Sequence, residues 1–341
     1  MDFELTDTQK DVAKLATAIF ERHARGADAD VWAELAKAGL LGTAVAEDAG
    51  GAGQGLLEHV SLLVAAGGAA ARVPIHAVTT TAMALDRFGA PAERARLAAV
   101  LGGEAILVPA MEEPDGGDPW RPVARLREGH VDGVKTCVPA AERAAGFLVT
   151  TSGGLCLVDA RAPGVTVEAQ TATTGGLHGL VTFRGAPARP LGDVGAQTWF
   201  LERAAIGLCA MQLGIAEAVL RKTAAYTTGR VQFDRPIATF QAVAQRAADA
   251  YIDVETMRVT LWEAAWRLSE ELPASREVAI AKAFAAEAGQ RVVYAAQHLH
   301  GGIGFDLEYG LARYYPLSKW LELQLGGGSF HLARLGASLA G

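Results

Sequence analysis

From Thr198 onward the chain returns to a helical period and keeps it, and this constrains the fold more than any other feature. Phe240, Val243, Ala247, Tyr251, Val254, Leu261, Ala265 and Leu268 fall on one stripe. Val278, Ala281, Ala285, Ala288, Val292 and Ala296 fall on a second. Apolar residues three and four apart share one face of an α-helix. Each stripe predicts a helix of about 25–30 residues, well above the ordinary ~11–12. Amphipathic helices of that length bury their stripes against one another as an antiparallel bundle, and Ala-rich stripes let the axes approach closely.

Residues 1–100 also read as helices. Thr6, with Gln9 three residues on, forms a capping box for a helix running to about Arg25, whose stripe is Val12, Leu15 and Ile19. A second helix at 29–38 ends at Gly39, and a turn-rich stretch at 50–55 follows. Further helices are expected at about 55–69, 74–88 and 91–101. Past Gly102 the chain becomes richer in Val, Thr, Gly and Pro. Short apolar runs at 105–110, 147–151 and 155–158 are bounded by Gly, Asp or Ser, the pattern of short antiparallel strands joined by tight turns. The expected fold is mostly α with a small β domain. It has an N-terminal helical domain (1–102), a middle antiparallel β domain (103–195) and a C-terminal antiparallel helical bundle (196–341).

Composition narrows the function classes. Half of the 341 residues are hydrophobic but only 7% are aromatic, so the apolar half is largely Ala, Leu and Val, enough for a real core. Lys+Arg is 31 against 38 Asp+Glu, a net charge of −7 with no basic block, which argues against nucleic-acid binding. Cys137, Cys156 and Cys209 lie far apart with no CxxC, which excludes a disulfide framework and the usual zinc site and suits a reducing compartment. No apolar run reaches about 18 residues without polar interruption, so no membrane span is expected. Met1-Asp2-Phe3-Glu4 lacks the basic start of a secretory signal. A cytoplasmic protein is the expectation. The glycines at 50–55 are not a dinucleotide fingerprint, because no strand precedes them and the spacing is wrong. HExxH, GxSxG and Walker sequences are absent.

Four stretches carry a resemblance. They are the opening Met1-Asp2-Phe3, the run Glu113-Pro114-Asp115-Gly116-Gly117-Asp118, the turn Arg230-Val231-Gln232-Phe233 with Gln241 after it, and Leu299-His300-Gly301-Gly302-Ile303-Gly304-Phe305. In this order, within a helical–β–helical chain, they resemble the acyl-CoA dehydrogenase family of flavoenzymes over essentially the whole length. The resemblance implies α,β-dehydrogenation of an acyl-CoA thioester with FAD as cofactor. That reaction needs a desolvated carboxylate to take the α-proton and donors on the thioester oxygen, where enolate charge develops.

The resemblance also assigns positions, and several are altered. The late Glu that serves most of the family as base corresponds to Leu325, which cannot take a proton. Glu202, in Leu201-Glu202-Arg203 near the start of the first long C-terminal helix, matches the placement of the base in a minority of the family and is the candidate catalytic residue. A plainer account of Glu202 is a first-turn Glu favoured by the helix dipole, with Thr198 as cap. The family's ring-binding segment corresponds to Lys135-Thr136-Cys137-Val138-Pro139, where Cys137 replaces the stacking aromatic and Pro139 the hydroxyl residue. By contrast Arg230, Phe233, Gln241, Gly301 and Gly302 are kept as cofactor contacts donated to a neighbouring subunit, with His298 at the position of a Gln. This pairing resembles the shorter subunit of heteromeric acyl-CoA dehydrogenases that act on steroid side-chain CoA thioesters. It implies an α2β2 heterotetramer with a longer homologous partner. A homo-oligomer using Glu202, or a non-catalytic scaffold subunit, are the alternatives.

Overall fold

The computed structural model describes residues 4–23 and 27–340. The Met1-Asp2-Phe3 start and the expected helix end near Arg25 lie outside the described residues. Helix α1 (Asp7–Arg22) begins on the anticipated capping box: the Gln9 N–H donates to Thr6 Oγ1 at 3.2 Å, and the Thr6 N–H donates to Gln9 Oε1 at 3.0 Å. Helix α2 (Asp28–Lys37) buries Val31, Trp32 and Leu35, and the chain then turns at Gly39 with φ +73°. The 50–55 glycines form a loop. At Gly51 a Cβ would lie 2.1 Å from the Val45 carbonyl oxygen, so only glycine fits. Helices α3 (Leu56–Gly68) and α4 (Ile75–Phe88) fall where expected. The helix expected at 91–101 is two short ones, α5 (Pro91–Arg94) and α6 (Leu97–Leu101).

Seven strands follow: β1 (Leu107–Ala110), β2 (Arg125–Arg127), β3 (His130–Pro139), β4 (Gly146–Thr151), β5 (Gly154–Asp159), β6 (Val165–Thr171) and β7 (Leu177–Gly192). They order as β1-β4-β5-β7-β3-β2, with β6 also on β7. The 16-residue β7 organises the sheet, because β3 and β6 pair along its first part and β5 along its last. The pairs are antiparallel except β1–β4, which is parallel, Leu107 to Gly146 through Ala110 to Val149. The sheet is therefore mixed where a wholly antiparallel one was expected. β1 and β4 are connected through a long excursion rather than a hairpin, and a long connection permits a parallel pair. Both strands are buried along their whole length.

The C-terminal helices are α7 (Val194–Gly229), α8 (Gln241–Ser269), α9 (Ser275–His300), α10 (Tyr314–Leu323) and α11 (Gly328–Leu339). A two-residue ribbon, β8 (Val231–Gln232) with β9 (Arg235–Pro236), bridges α7 and α8. Thr198 is not the cap of α7. The helix starts earlier, where Asp193 Oδ1 accepts from the N–H groups of Gly195 (2.9 Å) and Ala196 (3.1 Å), while Thr198 Oγ1 donates back to the Val194 carbonyl. The α9 stripe is buried as anticipated. On α8 burial begins only at Ala250 and runs through Val254, Met257, Leu261 and Leu268, whereas Tyr251 is 58% exposed. Helix α7 does carry a stretch apolar enough to cross a bilayer, contrary to the expectation from the sequence. That stretch is 89% buried within the protein, so it reads as a core helix.

The chain forms two compact units, one of residues 1–17, 60–71 and 208–341 and the other of 18–59 and 72–207. In the second, Phe147 and Phe183 meet edge to face at 6.1 Å in the core. In the first, α3 and α7 cross backbone to backbone. A Cβ on Gly67 would lie 2.0 Å from the Met211 carbonyl oxygen, and one on Gly214 2.0 Å from that of Val64.

Candidate active site

The segment aligned with a flavin-ring site lies on β3. Lys135 is fully buried, and its Nζ donates to Glu113 Oε1 (2.9 Å), Thr150 Oγ1 (3.1 Å) and the Met111 carbonyl (3.2 Å). Glu113 also accepts from the N–H groups of Val123 (2.8 Å) and Ala124 (2.9 Å). Burial works against ionisation of Glu113, yet the Lys135 ammonium and the two backbone donors hold its carboxyl below the usual range. Burial pulls the Lys135 ammonium down, and Glu113 resists this. The pair fastens the Glu-Pro stretch and the loop after it to the sheet.

Next to it, Cys137 sits in the left-handed region at φ +55°, inside an irregularity of the β3–β7 register. Gln170 on β6 holds that irregularity: its Oε1 accepts from the Cys137 N–H at 2.8 Å, and its Nε2 donates to Thr136 Oγ1 at 3.0 Å. Nothing in the sequence singled out Gln170, because it reaches Cys137 from another strand. Pro139, closing the segment, offers neither hydroxyl nor N–H. The segment therefore lacks both a ring to stack on an isoalloxazine and the donor to bond it. These residues do not fit the flavin ring.

The position of the late base is equally closed. Leu325 is fully buried at φ +55°, and its carbonyl accepts from His331 Nε2 at 2.9 Å. Buried Lys282 donates to the carbonyls of Glu322 (2.9 Å) and Gly326 (3.0 Å), locking the loop from the other side. The nearby Glu322 carboxylate is engaged by Lys319 at 2.6 Å. Glu202 is 9% exposed on α7, in the unit that holds the sheet. Beside it the Arg203 guanidinium lies over the Trp199 ring, 3.8 Å from the centroid.

The kept positions gather in the other unit, at the end of α7, the start of α8 and the end of α9. The Arg230 N–H donates to the Tyr226 carbonyl at 2.8 Å, and the Arg230 carbonyl accepts from Ile237 at 2.8 Å, closing the turn after α7. Phe233 is 87% exposed at φ +53°, with its ring edge-on to Phe240 at 6.2 Å. Arg235 covers the Phe240 ring at 4.2 Å, and exposed Gln241 opens α8. His298 is exposed on the last turn of α9. Gly301, at φ +65° and ψ −142°, ends that helix in a conformation only glycine adopts readily. Gln297 Nε2 donates to the Gly301 carbonyl at 3.0 Å, one residue before the candidate His298. The Tyr226 ring stacks on His300 at 4.5 Å, which ties the Arg230 turn to the Gly301–Gly302 turn. An exposed guanidinium and open glycine backbone suit a phosphate chain. This half fits the dinucleotide part of FAD.

Comparison with known proteins places the chain in a family. The acyl-CoA dehydrogenase N-terminal domain matches residues 7–104, and the acyl-CoA dehydrogenase C-terminal domain matches residues 194–339. Acyl-CoA dehydrogenase FadE27 of Mycobacterium tuberculosis is 38% identical over all of this chain and 99% of its own length. The Tcur3481-Tcur3483 steroid ACAD G363A variant superposes with a TM-score of 0.92 at 39% identity, covering 97% of each chain. The ChsE4-ChsE5 complex from Mycobacterium tuberculosis gives 0.91 at 36% identity, covering 100% of this chain and 99% of the other. The chain belongs to the acyl-CoA dehydrogenase family, FAD-dependent oxidoreductases that act on the CH–CH bond of an acyl-CoA.

Proposed function

We propose that this chain is the cofactor-donating subunit of a heteromeric, FAD-dependent acyl-CoA dehydrogenase. The assembly is an α2β2 heterotetramer with a longer homologous partner, placed in the cytoplasm, with a steroid side-chain CoA thioester as substrate. One observation carries the reading. Arg230, Phe233, Gln241, His298, Gly301 and Gly302 stand at one end of the helical unit, while Cys137, Pro139 and buried Leu325 occupy the positions for ring binding and proton removal. The similarity to the Tcur3481-Tcur3483 steroid ACAD and to the ChsE4-ChsE5 complex supports the substrate class and the mixed assembly. The three-part division at 1–102, 103–195 and 196–341 belongs to the same reading.

FAD, when bound, would supply the acceptor for the β-hydrogen leaving as hydride. In this account Arg230 would hold the phosphate chain of FAD, the Gly301–Gly302 backbone would face it, and Phe233 and Gln241 would hold the remainder. The partner subunit supplies the ring contacts. Purifying the chain alone tests this: a colourless or poorly flavinated preparation that gains FAD only with the longer partner is expected. A yellow homo-oligomer with full FAD occupancy and turnover of a CoA thioester overturns it.

A second reading is favoured by the burial of Glu202, since a carboxylate withdrawn from water is what proton abstraction from an α-carbon requires. Here Glu202 takes the α-proton at its carboxylate and the chain carries its own active site. Glu202→Gln then abolishes turnover and leaves flavin content intact. Unchanged turnover in the assembled complex assigns the chemistry to the partner and leaves this chain a non-catalytic scaffold that lends FAD contacts.

A further inference from the structure

His300 closes α9 one residue before Gly301 and is 4% exposed. Its Nδ1 lies 2.8 Å from the Ala296 carbonyl oxygen and its Nε2 3.1 Å from the Tyr309 hydroxyl. A carbonyl only accepts, so Nδ1 carries the proton. The neutral ring then presents Nε2 as acceptor, and the Tyr309 O–H donates to it. Burial, with the Lys222 charge adding to it, holds the imidazole below its ordinary pKa against the bond to Ala296, in keeping with a neutral ring.

Three elements converge on this one imidazole. The Tyr226 ring of α7 lies on it with 19° between the planes, and the Tyr226 hydroxyl donates to the His300 carbonyl at 3.5 Å. Tyr309, from the segment between α9 and α10, meets Tyr226 edge-on at 6.3 Å. Tyr226 in turn accepts the Arg230 N–H through its own carbonyl. Gln297, on the same last turn of α9, pins the Gly301 carbonyl. In a trans peptide the C=O of Gly301 and the N–H of Gly302 point opposite ways, so pinning the first turns the second away from Gln297. Among the described residues, nothing beyond the immediate chain neighbours lies within 4 Å of where a Cβ would stand on either glycine, which leaves room for a phosphate oxygen.

We infer that Tyr226, His300 and Tyr309 form a positioning clamp that holds the Arg230 turn and the Gly301–Gly302 turn in register for one phosphate chain. The clamp rests on the donor role argued above and adds residues that need not touch the cofactor. Two turns at the ends of different helices bind one polyanion tightly only if they are set before it arrives, because ordering them on binding subtracts from affinity.

The test uses the assembly as purified, stripped of flavin and titrated with FAD. Tyr309→Phe keeps the ring and removes one hydrogen bond, and an FAD Kd about five- to tenfold weaker is expected. His300→Phe removes both bonds and weakens FAD further. In Tyr309→Phe, amide hydrogen exchange quickens at 301–303 while the melting temperature of the flavin-free assembly stays put. A lowered melting temperature with unchanged FAD affinity makes the cluster merely structural and overturns the clamp. So does unchanged FAD affinity in both variants. Arg230→Ala run beside them separates the two ideas. If it alone weakens FAD, the clamp falls and the donor role stands. If it too leaves FAD unchanged, both fall.

Discussion

At the scale of single residues the informative positions are substitutions whose consequence is chemical and local. Leu325, Cys137 and Pro139 were legible from the sequence, because a leucine cannot take a proton and a proline cannot donate one wherever they sit. Gln170, Gln297 and Lys282 were not. Gln170 and Lys282 act on backbone brought to them by the fold, from a different strand and a different helix, and no spacing in the sequence records that, whereas Gln297 acts locally on the carbonyl four residues on. Lys135 and Glu113 lie between the two cases, since both stood in noticed stretches and their pairing did not show. The pair yields a prediction. Removing Glu113 leaves a fully buried ammonium with only neutral acceptors, and breaking a buried ion pair on one side costs about 3–5 kcal/mol. Glu113→Ala is therefore expected to shift the urea midpoint strongly, whereas Lys135→Met, which removes the charge along with its partner's role, shifts it less. Equal, small shifts for both would show that the pair does not hold the loop.

At the scale of elements, periodicity identified the long helices and their order, and local chemistry misplaced some of their ends. Asp193 begins α7 five residues before the expected Thr198, because a cap is defined by which N–H groups are left without partners rather than by residue type alone. The parallel β1–β4 pair could not be read either, since strand direction depends on a connection that returns from residue 110 to residue 146. Helix crossing is likewise invisible in one sequence. Gly67 and Gly214 lie inside helices, and each meets the backbone of the opposite helix. Gly67→Ala must push α3 off α7, so a loss of about 1–3 kcal/mol is expected from overpacking. Gly336 on α11 is the contrasting case, with open space where a Cβ would go. Gly336→Ala is expected to raise stability by about 0.5–1 kcal/mol through helix propensity. Chemical denaturation of the two variants side by side checks the crossing, and a neutral Gly67→Ala would refute it.

At the scale of the whole molecule, the buried histidines couple folding to pH. His59, on α3, is 2% exposed, and burial, with His76 beside it, holds its pKa down to about 3. His331, on α11, is 1% exposed and is held at about 3 by burial and then by the Lys282 charge. One belongs to each compact unit, so acid acts on both. The sign follows from proton counting. In the unfolded chain these rings protonate near 6.5, whereas in the folded chain they stay neutral down to about 3. Between those values the unfolded state binds more protons, so stability is complete above about pH 6.5 and falls as pH drops towards 3. Two such groups give a slope of up to about 2.7 kcal/mol per pH unit, at 1.36 kcal/mol per proton. Urea unfolding from pH 7.5 to pH 4.5 measures it directly. His59→Phe removes one proton from the count and halves the part of the slope these two residues supply, even if the variant is less stable at neutral pH. A slope that His59→Phe leaves unchanged would mean that His59 is already solvated, and therefore free to charge, in the folded protein.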